Sequence, residues 1–199
     1  MNPAQAEVVK QGFGIEQFLA ALAEPAGQYV LDLGDLSQST VSYVTGRGHR
    51  LYAEDVLTRL DEVFGPGDPA VTQDEPGRVR TFLEECLPFP PHQFDVVLAW
   101  DTLEFLTRPV LDPFIEQLYT VLRPGGVLLA CFHAEARDGS VDASSYRIHD
   151  YRTLALRWKG RRPIAQVFQN RTIERMFERF QVVKFFLSRD LIREVIVRK

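Results

Sequence analysis

Carboxylates lie at or just after the ends of three apolar segments in this sequence. Asp32 lies near the end of the first segment, Glu54 and Asp55 follow the second, and Asp101 follows the third. The segments are Tyr29–Leu33, Arg50–Ala53 and Phe94–Trp100. Short apolar runs of this kind are typical of buried parallel strands. In open α/β sheets ligands bind beyond the carboxyl ends of the strands, so we predict a ligand site formed by these loops.

A histidine, His133, ends a further apolar segment, Val127–His133, and should lie at the same edge. Imidazole titrates near neutral pH and can act as a general base, so His133 and Asp101 are the two catalytic candidates. A partly exposed polar residue is the simpler interpretation of His133. The two cysteines, Cys86 and Cys131, show no metal-ligand spacing, and no metal site is predicted.

The other candidate residues also have structural interpretations. Asp32 can accept hydrogen bonds from N–H groups of its own loop, and Gly34 can simply permit a tight turn. Asp55 and Asp101 can cap the helices that follow them. Trp100 is a core residue or a wall of the site. The sequence leaves these alternatives open.

Helical and strand patterns alternate along most of the chain, which favours right-handed crossovers and a mostly parallel sheet. The predicted helices are Ala4–Ala23, Ser37–Thr45, Val56–Phe64, Leu111–Leu122 and Asn170–Phe180. The predicted strands are Tyr29–Leu33, Arg50–Ala53, Arg78–Leu83, Phe94–Trp100, Val127–His133, Val182–Leu187 and Ile192–Arg198. The last two strands are joined by a short link that indicates an antiparallel hairpin. We therefore expect a doubly wound, Rossmann-like α/β fold with helices on both faces and the Tyr29 strand in a central position.

The length of 199 residues favours one domain, comprising residues 1–199. Residues 1–28 form an N-terminal helical segment in this interpretation. Residues 134–169 break the alternation and should cover the carboxyl edge of the sheet as an insertion. This segment contains Tyr146, Arg147 and His149. The sequence allows two interpretations of these residues, namely contact with substrate or a position on the surface.

Charge is distributed unevenly along the chain, whose net charge is −4. Residues 147–199 hold 14 of the 23 basic residues and only 5 of the 27 acidic ones. A basic quarter can face nucleic acid, but no aromatic-interleaved basic motif accompanies it, so a solvated surface is favoured. No apolar run is long enough to span a bilayer and no signal peptide is evident, so we expect a cytoplasmic protein without a membrane partner.

Four segments together resemble the class I S-adenosylmethionine-dependent methyltransferases. They are Val30–Gln38, Leu87–Phe89, Phe94–Leu106 and Leu122–Leu129, and they occur in the family's order and spacing. The resemblance covers about Tyr29 to Phe132 and implies S-adenosylmethionine as cofactor. It does not identify the methyl acceptor, for which a small molecule is favoured.

The resemblance also implies roles for individual residues. The loop with Asp32 and Gly34 would lie against the cofactor, because glycine lets the backbone approach closely. The helix after this loop would offer N–H groups to the methionine carboxylate. Asp55, or Glu54 as the fallback, would accept both ribose hydroxyls, and the Asp101 loop would complete the cofactor site.

Three positions depart from the family pattern. Leu36 and Gln38 stand where the family has its second and third glycines, and Leu83 stands where it often has an acidic residue after the third strand. Either the loop swings outward and keeps a pocket, which we favour, or Leu36 fills the pocket. The leading hypothesis is a methyltransferase with a degenerate cofactor loop. The alternative is a non-catalytic binding or scaffolding protein with the same fold.

Overall fold

The computed structural model describes residues 7–23, 26–65, 68–188 and 191–199. The strands are β1 (Glu7–Gln11), β2 (Tyr29–Asp32), β3 (Arg50–Ala53), β4 (Phe94–Trp100), β5 (Leu122–His133), β6 (Ser140–Ile148), β7 (Thr153–Pro163), β8 (Val182–Leu187) and β9 (Ile192–Arg198). The helices are α1 (Phe13–Ala20), α2 (Gln38–Thr45), α3 (Val56–Phe64), α4 (Pro69–Thr72), α5 (Pro76–Cys86), α6 (Arg108–Val121) and α7 (Asn170–Met176). A 3₁₀ turn, Thr102–Phe105, follows β4.

The main sheet has six strands in the order β3-β2-β4-β5-β9-β8. The pairs β2–β3, β2–β4 and β4–β5 are parallel, whereas β5–β9 and β8–β9 are antiparallel. Every residue of β4 is buried, as expected for a strand covered on both faces. These observations confirm the doubly wound fold with a C-terminal antiparallel hairpin. The strand that begins at Tyr29 is interior, one position from the edge strand β3.

The predicted strand Arg78–Leu83 is wrong, because these residues lie within helix α5. Glu75 caps this helix by accepting hydrogen bonds from the N–H groups of Gly77 and Arg78, and Pro76 occupies the first turn. The buried residues Val79, Phe82 and Cys86 recur at helical spacing. No described residue between β3 and β4 belongs to a strand, so β3 is an edge strand and Leu83 does not follow a strand.

The predicted helix Ala4–Ala23 is also wrong over residues 7–11, which form strand β1; residues 4–6 lie outside the described residues. Strand β1 pairs antiparallel with β7, so a long-range partner decides its conformation. Helix α1 begins only after Gly12. No side chain of its own caps α1, and the carboxylate of Glu194 on β9 accepts a hydrogen bond from Ile15 N at 3.1 Å instead.

Residues 134–169 contribute two long strands, β6 and β7. Together with β1 they form a second, antiparallel sheet in the order β1-β7-β6, which we call the covering sheet. Helix α7 is shorter than predicted, and its N-cap is Gln169. Within the described ranges, no helix has the length and hydropathy needed to cross a membrane.

Replacing Gly14 with alanine should destabilise the protein. A Cβ at Gly14 would lie 2.5 Å from Oε2 of Glu194 and 2.9 Å from both Glu194 Cβ and Phe186 Cδ2. Alanine gains up to ~1 kcal/mol of helix propensity, but overpacking costs ~1–3 kcal/mol. We expect the free energy of unfolding, measured with urea, to fall by about 1 kcal/mol. The matched control is Gln17→Ala on the exposed face of the same helix, which should change it by less than about 0.5 kcal/mol. A Gly14→Ala protein as stable as the control would contradict this packing.

Candidate functional site

The Asp32 carboxylate lies at the carboxyl end of β2 and is bound by two donors. Its Oδ1 accepts hydrogen bonds from Gly34 N at 3.0 Å and from the indole Nε1 of Trp100 at 2.6 Å. A Cβ at Gly34 would lie 2.8 Å from Trp100 Cδ1. The Trp100 indole therefore leaves no room for a side chain at position 34, and glycine is required there. The indole lies against the backbone at the place where the family resemblance puts the cofactor.

Trp100 fills the space beyond the ends of β2 and β4. Its side chain is 2% exposed and stacks on the ring of Tyr146 from the covering sheet, with centroids 4.9 Å apart and an interplanar angle of 11°. Its backbone φ is +49°, which is unusual for a bulky residue. Such strain persists only where surrounding contacts enforce it. The burial of both rings supplies those contacts.

The loop after Gly34 is attached to the covering sheet. Lys159 Nζ lies 3.0 Å from Asp35 Oδ2, and Ile148 N donates to Thr40 Oγ1 at 3.1 Å. Ser37 caps helix α2 by accepting a hydrogen bond from Thr40 N. The N-terminus that the resemblance assigns to the methionine carboxylate is thus capped by its own chain. The Leu36 side chain is 61% exposed, so it does not fill the predicted cofactor pocket.

The carboxylates after β3 are engaged in local contacts. Asp55 caps helix α3, accepting hydrogen bonds from Thr58 N at 3.0 Å and Thr58 Oγ1 at 2.8 Å. Glu54 forms an ion pair with Arg59 at 3.3 Å. The capping interpretation of Asp55 is thus present in the structure. Ribose binding by Asp55 or Glu54 stays a prediction.

A buried acidic cluster lies at the end of β4 and β5. Glu104 is fully buried, and its two oxygens accept from His133 N and contact His133 Nδ1, both at 2.7 Å. The ring of His133 is thereby oriented, and its Nε2 forms no hydrogen bond with the described residues. Asp101 is 2% exposed, and its carboxylate interacts with the hydroxyl of Tyr146 from the covering sheet. A histidine held by a carboxylate in this way can transfer a proton.

Burial dominates the ionisation of this region. Burial, with a smaller contribution from the Glu104 charge, raises the pKa of Asp101 to about 7. Burial also raises the pKa of Glu104, although His133 opposes the shift. For His133, burial lowers the pKa, but the hydrogen bond and charge of Glu104 raise it, and the net shift is upward. Asp32 has a pKa raised to about 6 by burial, against the hydrogen bonds from Trp100 and Gly34.

A cleft separates the covering sheet from the ends of β5 and β9. It has a larger part of about 770 Å³ and a smaller part of about 520 Å³, and Tyr146, Lys10, Leu156 and Ile192 line both. His133 lines the smaller part. Trp100, Asp32 and Gly34 line neither part. Tyr146 therefore stacks on Trp100 and also forms a wall of the cleft.

The family model of a methyltransferase domain matches residues 10–130, more than half of the chain. The chain therefore belongs to this family, the class I S-adenosylmethionine-dependent methyltransferases. No curated protein matches the chain.

Two solved structures that are similar to this chain are both methyltransferases. A methyltransferase from Aquifex aeolicus that depends on S-adenosylmethionine is 17% identical, with a TM-score of 0.50 over 92% of this chain and 88% of that chain. The 1,6-didemethyltoxoflavin-N1-methyltransferase of Burkholderia thailandensis is 15% identical, with a TM-score of 0.48 over 94% of this chain and 76% of that chain. At this identity, the Aquifex likeness supports the fold alone.

The residues at the family's cofactor position do not fit S-adenosylmethionine in this structure. The space against Gly34 holds the Trp100 indole, and the face of that ring is covered by Tyr146. The sequence correctly brings Asp32, Gly34 and Asp101 to one edge, but their roles in binding stay predictions. Sequence reasoning missed Glu104 as the partner of His133 and Tyr146 as the partner of Trp100.

Replacing Asp32 with asparagine should change stability in a pH-dependent way. Because the pKa of Asp32 is raised from 3.8 to about 6 in the folded protein, its stabilising contribution is complete below pH 3.8 and is lost as the pH rises past 6. Asparagine does not titrate, and its Oδ1 can accept the same two hydrogen bonds. Relative to wild type, Asp32→Asn should therefore gain roughly 3 kcal/mol of unfolding free energy between pH ~4 and pH ~8.

Urea denaturation at both pH values measures this difference. Asp112→Asn, which removes an exposed carboxylate from helix α6, is the matched control and should show no comparable pH-dependent gain. A difference between Asp32→Asn and wild type that stays constant with pH would contradict a buried, destabilised carboxylate at Asp32.

Proposed function

We propose that this methyltransferase-family protein is a small-molecule-binding protein that does not take S-adenosylmethionine at the family's cofactor position. The observation that carries the proposal is the Trp100 indole, which lies against Gly34 and donates to Asp32 at 2.6 Å. A cofactor there would have to displace a buried tryptophan. Losing such a side chain from a core costs about 3–5 kcal/mol, so cofactor binding would have to offset that cost first.

The covering sheet supports the same conclusion because it is fixed over this edge at several points. Tyr146 stacks on Trp100, and Arg162 forms an ion pair with Asp61 at 2.5 Å. The contacts of Ile148 with Thr40 and of Lys159 with Asp35 add to these. Opening the edge would break all four contacts together. Each surface ion pair contributes little alone, but the stacked, buried rings contribute more.

A second candidate function is methyl transfer by a form in which Trp100 has moved. The observation that favours it is the Glu104–His133 pair, whose geometry suits a general base at the wall of the cleft. The positive φ of Trp100 is a second supporting feature, since strained residues cluster at functional sites. Cofactor binding by the wild-type protein distinguishes the two candidates.

Calorimetric titration with S-adenosylhomocysteine tests the proposal. The wild-type protein should show no binding at millimolar ligand. Trp100→Ser, which removes the indole, should bind it at least about tenfold more tightly than wild type. The matched control is the double variant Leu36→Gly, Gln38→Gly, which restores the family glycines without emptying the site and should gain nothing.

Two results would overturn the proposal. Binding of S-adenosylhomocysteine by wild type would favour the methyltransferase candidate. A gain in the glycine double variant would mean that the loop, rather than Trp100, closes the position. The wild-type and double-variant measurements remain informative if Trp100→Ser does not fold.

A further inference from the structure

We propose that the cleft between the covering sheet and the ends of β5 and β9 binds an amphipathic carboxylate, whose head accepts a hydrogen bond from Nε2 of His133. The apolar body of this ligand lies in the larger part of the cleft. The inference rests on the proposed function in one respect, since it names the ligand class of a protein proposed to bind a small molecule. The two parts of the cleft adjoin, because four residues line both, namely Lys10, Tyr146, Leu156 and Ile192.

His133 offers one ring nitrogen to the smaller part of the cleft. Its other ring nitrogen, Nδ1, is held by Oε2 of the buried Glu104 at 2.7 Å. Nε2 has no hydrogen-bond partner among the described residues, and it does not belong to their buried unpaired atoms. The side chain is 16% exposed and lines the smaller part. A ligand in this part can therefore reach Nε2.

The charge of the His133 ring decides which head group it accepts. Burial lowers the pKa of His133, but the hydrogen bond and charge of Glu104 outweigh burial, so the net shift is upward. A protonated ring that donates Nδ1–H to Glu104 presents Nε2–H, which is a charge-assisted donor for a carboxylate. A neutral ring with the same Nδ1–H contact presents a lone pair at Nε2, which repels a carboxylate. The ligand therefore binds the protonated ring.

The smaller part of the cleft carries an excess of positive charge. Three cations line it, namely Lys10, Arg137 and Arg161, against two carboxylates, Glu135 and Asp142. The guanidinium of Arg161 donates to the backbone carbonyl of Arg137 at 2.7 Å, a neutral acceptor that leaves its charge in place. Protonation of His133 adds a further positive charge. This part therefore favours an anionic head group over a cationic one.

Charges in the larger part balance. Lys10 and Arg152 face Glu16 and Glu194 there. Arg152 is paired with Glu16 at 2.9 Å, and Glu194 accepts a hydrogen bond from Ile15 N at 3.1 Å. A charged head group would gain no net attraction in this part, whereas burying an unpaired charge is costly. The distribution of charge therefore places the head of the ligand in the smaller part.

Apolar side chains line the larger part and suit the body of the ligand. The buried ones come from α1, β7 and β9, and they are Ile15, Leu154, Leu156 and Ile192. The rim includes Val9 and Leu187, which are 63% and 65% exposed. Binding of an apolar body removes this surface from water. The volume of about 770 Å³ accommodates a drug-sized molecule.

Several charged groups surround the pair of His133 and Glu104 and bear on any pH-dependent test. They are Asp101 after β4, Arg193 and Glu194 of β9, Lys10 of β1, and Glu135, Arg137, Asp142 and Arg161 at the covering sheet. Burial raises the pKa of Asp101 to about 7, so Asp101 also gains negative charge as the pH rises through neutrality. The experiment must therefore separate His133 from Asp101.

Four naphthalene probes test the inference by fluorescence titration. They share one apolar body: 2-naphthoate is anionic, 2-naphthamide is neutral with a head of the same shape, 2-naphthylmethylammonium is cationic, and naphthalene has no head. At pH ~6 we expect 2-naphthoate to bind most tightly, at least about tenfold more tightly than 2-naphthamide. Its affinity should fall about tenfold between pH ~6 and pH ~9, because His133 loses its proton while the probe stays ionised.

Two variants assign the pH dependence. His133→Gln removes the titrating ring, so it should weaken 2-naphthoate binding about tenfold at pH ~6 and leave less than about threefold change up to pH ~9. Asp101 is still present in this variant, so a pH dependence equal to that of wild type would assign the effect to Asp101 and overturn the inference. Glu104→Gln removes the charge that favours the protonated ring, so the midpoint of the pH profile should move to lower pH. An unchanged midpoint would contradict this positioning role of Glu104.

His149→Gln is the matched control, since it removes an imidazole that is 50% exposed and lines neither part of the cleft. It should leave all four affinities and the pH profile unchanged. Tightest binding of any other probe, no binding of 2-naphthoate at millimolar concentration, or equal affinity at the two pH values would overturn the inference. These wild-type measurements decide the matter even if His133→Gln does not fold. They contain no S-adenosylhomocysteine, so failure of the ligand class and failure of the proposed function are distinguishable.

Discussion

The contact between the Trp100 indole and the Asp32–Gly34 turn is the interaction on which the rest of the site depends. It fixes the Asp32 carboxylate, requires glycine at position 34, and gives Tyr146 a flat surface to stack on. The positive φ of Trp100 costs about 1–2 kcal/mol. Burying an indole of 150–250 Å² recovers about 4–6 kcal/mol at ~25 cal/mol per Å². The free energy gained by burying the indole exceeds the cost of the backbone strain, so the strained conformation is stable.

Much of the fold could be predicted from the sequence because local pattern and tertiary structure agree there. Apart from Asp95, strand β4 is a run of apolar residues, and it lies buried in the interior of the sheet as its composition indicates. The prediction was wrong where a helix start precedes an apolar run and where a distant strand decides the conformation. Glu75-Pro76 is a helix start, yet the segment after it was assigned to a strand. Strand β1 is decided by its pairing with β7, which no local pattern contains.

The site was harder to predict because its decisive contacts join distant residues. Trp100 and Tyr146 are far apart in the sequence, and only the path of the covering sheet brings their rings together. Glu104 belongs to the loop after β4, but the sequence around it does not indicate that its carboxylate contacts the ring of His133. One signal was available. A large aromatic residue at the end of β4, combined with Leu36 in place of a glycine, favours our proposal that this position does not take the cofactor.

The hydrogen bond from Ile15 N to Glu194 has a consequence for the order of folding. Helix α1 has 8 residues, too short to be stable alone in water, and its cap lies 179 residues further along the chain. Strand β1 likewise forms only when β7 is in place to pair with it. Closing contacts at such separation is slow, because the entropy of a long loop must be lost before any contact compensates it. Helix α1 and strand β1 are therefore among the last elements to reach their native positions.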